Sequence, residues 1–201
     1  AATEIDNTGN LTIMDSTVTG LLDIDNTGTI ALESIIASGQ VVNLTAGGAI
    51  TDINADAAGA DTTVNVTAAT LNIDGDNAVT DLETAVSNMM LETAATSITN
   101  TGDLMLDDST LSGAIMLMND GTLDVDGLDA TGFNVDLMAS DDTTIVDVQS
   151  ADINVESGGM LTVDMVTASG DAMLDAEEHA TVTDLIAVAV DREVSGDLVG
   201  T

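Results

Sequence analysis

The chain has 201 residues, of which 36 are acidic and one is basic, giving a formal net charge of -35. Without a cationic patch to neutralise phosphates, nucleic acid is excluded as a partner, and an anionic membrane surface would repel the chain. Disorder is not implied, because it requires low hydrophobicity as well as charge, and here 44% of residues are hydrophobic and alternate with polar ones.

Short strands are predicted from the first residues onward, in chain order. Leu11-Thr-Ile13, Leu22-Asp-Ile24, Ile30-Ala-Leu32 and Val42-Asn-Leu44 put aliphatic residues on one face and polar residues on the other. Val64-Asn-Val66 and Leu71-Asn-Ile73 follow. The segment from Ala78 to Thr96 is less regular; a loose coil is expected, although Leu82, Val86, Met89 and Met90 also have the spacing of a short helix. The strict beat returns in Leu104-Met-Leu106, Ile115-Met-Leu117, Leu123-Asp-Val125 and Val135-Asp-Leu137. It continues through Ile153-Asn-Val155, Leu161-Thr-Val163 and Val182-Thr-Asp-Leu185. Between strands lie NTG, DG, GG and SG turns, where Gly or Asn can take positive φ. Proline is absent, which suits uninterrupted ladders, and cysteine is absent, so no disulfide reports on the redox compartment.

The strands belong to a duplication. Residues 1–46 align without a gap on residues 94–139, with about 20 of 46 positions identical. A shorter period lies inside it: the turns at Gly9, Gly28 and Gly47 are about 19 residues apart, as are those at Gly102 and Gly121. Ser195-Gly196-Asp197-Leu198 echoes Thr101-Gly102-Asp103-Leu104, so copies span 1–93 and 94–186, and a third begins at 187–201. A period of 19–20 residues is one coil of a solenoid. The expected fold is therefore all-β: a single right-handed parallel β-helix over 1–201, of about ten coils. At about 4.8 Å per coil it forms a rod on the order of 50 Å long. The sequence starts without Met and has no signal peptide or long apolar run. A processed product or a slice of a longer chain is expected, with no membrane insertion. Both ends fall within a repeat, so the coils are expected to continue into flanking repeats or to stack end to end on another copy.

Val41-Val-Asn-Leu-Thr-Ala-Gly-Gly-Ala-Ile-Thr-Asp-Ile53, followed by Thr63-Val-Asn-Val-Thr-Ala-Ala-Thr-Leu-Asn-Ile73, resembles the repeats of large bacterial surface adhesins of the filamentous haemagglutinin type. The resemblance extends over nearly the whole chain. It implies a right-handed parallel β-helix and an extracellular or cell-surface location. The chain departs from that pattern in its near-total lack of basic and aromatic residues, which argues against glycan binding on aromatic platforms.

Polysaccharide cleavage, common on β-helices, needs a base with cations, or paired carboxylates with stacking surfaces. The only cation is Arg192 and the only imidazole is His179, placed after two glutamates in an expected solvated turn; Trp and Tyr are absent. An enzyme is therefore the remote reading. Cation binding is nearer. Asp74-Gly-Asp76 and Asp124-Val-Asp126-Gly-Leu-Asp129 gather the hard oxygens that Ca²⁺ prefers, with thinner clusters at Asp23-Ile-Asp25 and Asp107-Asp108. The alternative is a row of solvated acids that keeps the rod soluble. Methionines mark a candidate interface. Thr12, Asp23, Asp25 and Thr45 of the first copy, all expected to face outward, become Met105, Met116, Met118 and Met138 in the second. The alternative is that these side chains fill the core. Asn10, Asn43 and Asn65 head N-glycosylation sequons, and an outward threonine row near Asp61-Thr-Thr-Val lacks the regularity of an ice-binding face. The expected role is a structural shaft or repeat module of a surface fibre or adhesin, with a Ca²⁺- or glycan-binding adhesion module as the alternative.

Overall fold

The computed structural model describes residues 1–54 and 63–200; the Asp61-Thr62 part of the threonine-rich segment lies outside them. The protein is an all-β parallel solenoid of about ten turns with a period near 19 residues, and the described residues contain no helix. Among the described residues twenty-two strands join one sheet, every pairing parallel. They form two main ladders that wind around a common core. One runs from Thr3–Asn7 and Leu22–Asn26 through Leu104–Leu111 and Leu123–Asp129 to Leu198–Gly200. The other runs from Leu11–Ile13 and Ile30–Leu32 through Ile115–Asp120 and Val135–Ala139 to Ala189–Val194. The tract from 78 to 96 follows the same rule. Val79–Ala85 and Asn88–Thr93 are strands, and Leu82 and Met89 point into the core in different ladders. Registry with the turns on either side overrides a weak helical spacing there.

Period-2 alternation makes the interior. Leu22, Val42, Leu71, Met89, Leu106, Val125, Ile145, Val163 and Val182 stand in register on nine successive turns, all buried. Each residue therefore packs on the aliphatic groups above and below it, and removal of this area from water is the main term that stabilises the rod. Asparagines run beside the aliphatics, Asn7 half-buried and Asn26, Asn100 and Asn119 buried. The Asn7 amide donates to Asn26 Oδ1 at 2.7 Å, and Asn26 donates to the Thr29 carbonyl. In the second copy Asn100 donates to Asn119 Oδ1 at 2.9 Å, and Asn119 donates to the Thr122 carbonyl. These are the asparagines of the NTG and NDG turns. They serve by closing the turn internally, not by taking positive φ, which among the described non-glycine residues falls to Asp15, Asp81 and Asp108. Gly28 is required for a different reason: a Cβ there would lie 2.4 Å from the Gly9 carbonyl oxygen of the turn below.

The duplication does not repeat as a translation along the axis. Thr3–Asn7 and Leu22–Asn26 stand in the first ladder, whereas their counterparts Thr96–Thr101 and Ile115–Asp120 stand in the second. The step from Val42 to Leu71 takes 29 residues, so four turns consume 86 residues, from Thr3 to Met89. A repeat of about 93 residues thus overshoots by one side of the coil. Five turns from Thr96 reach Val190, which is 94 residues, so the start of the third copy stays in the second ladder.

Candidate functional site

The corner within the bent first ladder arises where two consecutive residues face outward, breaking the alternation. Asp107-Asp108, Asp126-Gly127, Val146-Asp147, Asp164-Met165 and Thr183-Asp184 occupy it on successive turns. Asp108 turns it with positive φ (33°), which a short polar side chain tolerates better than most, and its sequence counterpart Asp15 (32°) makes a like turn after Leu11–Ile13 of the second ladder. Carboxylates of Asp108, Asp126, Asp147, Asp164 and Asp184 consequently line one groove of about 540 Å³. Asp107, Asp126 and Asp147 are in direct register on three turns. Their common signal was present in the chain: an aliphatic residue, two residues of which at least one is acidic, then an inward side chain, at intervals of 18 to 20.

The five aspartates expected as cation ligands are not brought together. Asp74 ends a strand and Asp76 sits in the following bend, both exposed, three rungs away from Asp124, Asp126 and Asp129. Asp124 and Asp126 face outward on one strand, while Asp129 lies beyond the corner. Asp129 Oδ1 accepts the Thr131 hydroxyl at 2.7 Å and the Thr131 amide at 3.0 Å, and these bonds, the hydroxyl first, hold its carboxyl below the usual carboxylate range. Among the described residues no three of His, Cys, Asp or Glu converge to hold a metal ion. Several acids have structural partners instead. Asp103, Asp142 and Asp152 each accept a backbone amide from the next turn, at 3.1, 2.8 and 2.8 Å. Exposed His179 does likewise, accepting the Asp197 amide at 2.9 Å through Nδ1.

The methionines are placed more tellingly. Met105, Met116 and Met118 are exposed and Met138 is half-buried, whereas Leu117, between two of them, is fully buried. Met118 and Met138 stand directly opposite one another on adjacent turns, and Met116 is two residues before Met118 on the same outward face. Met105 belongs to the other ladder, opposite Asn88 and Asp124, so it does not join this stripe. Its place on the face is taken by Met173, in register with Asn154 and Asp191. Of the ten methionines only Met89 lies in the core. Met105 and Met116 stand on different ladders just as Thr12 and Asp23 do in the first copy, a separation that outward orientation alone does not reveal. Of the sequon asparagines, Asn10 is exposed, whereas Asn65 is buried and its amide donates to the Glu33 carbonyl and Asp52 Oδ1. Arg192 takes an inward position, in register with Leu174.

Two depressions flank the methionine face. One, of about 610 Å³, is lined by Asp136, Asp152, Asp171 and Asp191 together with Asn154 and Met173. The other, of about 380 Å³, includes Met138, Glu156, Asp175 and Glu177. Both combine apolar side chains with hydrogen-bond acceptors. No protein-family model, no curated protein and no solved structure matches this chain.

Proposed function

We propose that the chain is a structural shaft, a stretch of rod in an extracellular fibre or large surface adhesin. The observation that carries this reading is the unbroken ladder: ten strands in register in the second ladder, with a continuous aliphatic column and an exterior dominated by acids. Such a structure resists extension along its axis through many parallel hydrogen bonds, and its charge opposes lateral clumping. The likeness of residues 41–73 to filamentous haemagglutinin repeats supports a surface location and a place among further repeats. Negative-stain electron microscopy of the isolated chain tests the reading. Rods about 50 Å long, or filaments of the same width, are expected; compact particles without a long axis would remove the shaft.

Cation dependence is the second reading, favoured by the acidic corner groove. Ca²⁺ would act there by neutralising a row of carboxylates, not by entering a preformed cage.

A further inference from the structure

We propose that the methionine-bearing face of the second ladder docks a cationic, partly apolar polypeptide segment. Four side chains, Met116, Met118, Met138 and Met173, lie on its outward rows. Filling the core does not require them there, since the inward rows are already closed by Leu117, Leu137 and Leu174. Nor does the repeat demand them, because the first copy holds Asp23, Asp25 and Thr45 at the positions of Met116, Met118 and Met138. Methionine is unbranched and polarizable, and suits adaptable contact with another apolar surface.

The acids of the face state the charge of the occupant. Asp136 and Asp191 share the row of Met116 and Met173, Glu156 and Asp175 share the row of Met118 and Met138, and Asp152, Asp171 and Glu177 border these rows. Asn154 Oδ1, in the first depression, is buried without a donor. The linings are therefore rich in acceptors and hold no cation, whereas Lys and Arg side chains bring donors and positive charge. A second copy fits poorly, since it would set one base and 36 acids against the same composition. The partner must supply its own positive charge.

The test uses the full chain and two short synthetic peptides of equal charge, one alternating Lys with Leu and the other Lys with Ser, in about 0.15 M NaCl. Fluorescence anisotropy is expected to show the Lys-Leu peptide binding about tenfold more tightly. That preference should vanish in the variant carrying Met116→Thr, Met118→Thr and Met138→Thr, whose melting curve should match that of the parent. Asp136→Asn with Asp171→Asn should weaken both peptides together. Equal binding of the two peptides, or a preference that survives the threonine variant, would overturn the proposal. So would self-association that depends on the methionines without any peptide preference. If the threonine variant does not fold, the two-peptide comparison on the parent chain decides alone. The docking face and the shaft fail separately: rods that do not discriminate the peptides leave only the shaft standing, and compact particles that discriminate them leave only the face.

Discussion

Asn100 links three successive turns. Its Oδ1 accepts the Thr84 hydroxyl at 2.9 Å and the Val86 amide at 3.0 Å, while its Nδ2 donates to the Gly102 carbonyl and Asn119 Oδ1. It is fully buried, so truncation leaves several polar groups without partners at once. Asn100→Ala should cost about 3 kcal/mol, read as a lowered urea midpoint with an unchanged slope. Asn10→Ala, at an exposed position, should cost well under half of that. Asp129 works at the opposite extreme, on the surface. Its carboxyl is held below the ordinary range by Thr131, so it contributes stability above the unfolded-state value of about 3.9 and loses it as pH falls through the lower folded value. Melting temperatures of the parent and of Asp129→Ala should therefore differ slightly at pH 7 and converge in strong acid. A gap that persists unchanged below pH about 2 would assign the effect to something other than that charge.

At the scale of the strand, alternation decides everything. Leu117 and Met118 are neighbours, yet one is fully buried and the other is 39% exposed. Leu117→Asp places an unpaired charge in the aliphatic column and should abolish cooperative folding, whereas Met118→Asp should cost less than about 1 kcal/mol. Circular dichroism melts of the two variants check this, and equal damage would mean that the strand is turned over. The period-2 pattern made these assignments legible before any coordinates. The corner was harder to see, because Asp107-Asp108 reads locally as a small acidic cluster; only pairing across turns shows that it stacks under Asp126-Gly127 and Val146-Asp147.

Across the whole molecule, like charges accumulate in rows. Asp107, Asp126 and Asp147 align on three turns, as do Glu156, Asp175 and Glu193. Two charges at about 5 Å repel by roughly 1 kcal/mol in water and by a few kcal/mol near a partly screened surface. Thermal stability should therefore rise in molar NaCl and in millimolar Ca²⁺. Asp126→Asn, which relieves both of its neighbours, should raise the melting temperature at low salt and matter less at high salt. A melting curve indifferent to salt and to Ca²⁺ would show that the rows are already screened by solvent. If Ca²⁺ stabilises no more than Mg²⁺, neutralisation of the rows explains the effect; a large excess for Ca²⁺ points to a dedicated site.

The solenoid, its period, its inward residues and its acid exterior were all determined by the sequence alone, because each depends on a local rule repeated often enough to be unmistakable. Which outward residues share a face was decided by the tertiary structure. The long third turn makes the repeat a non-integral number of coils, so equivalent residues in the two copies stand on different sides. That rotation carries Met116, Met118 and Met138 onto the ladder that holds Met173, whereas Met105 stands on the other ladder and Asp74 and Asp76 lie three rungs along the axis from Asp124, Asp126 and Asp129. Neighbourhood across turns depends on the summed length of everything wound between, and no local pattern carries that sum.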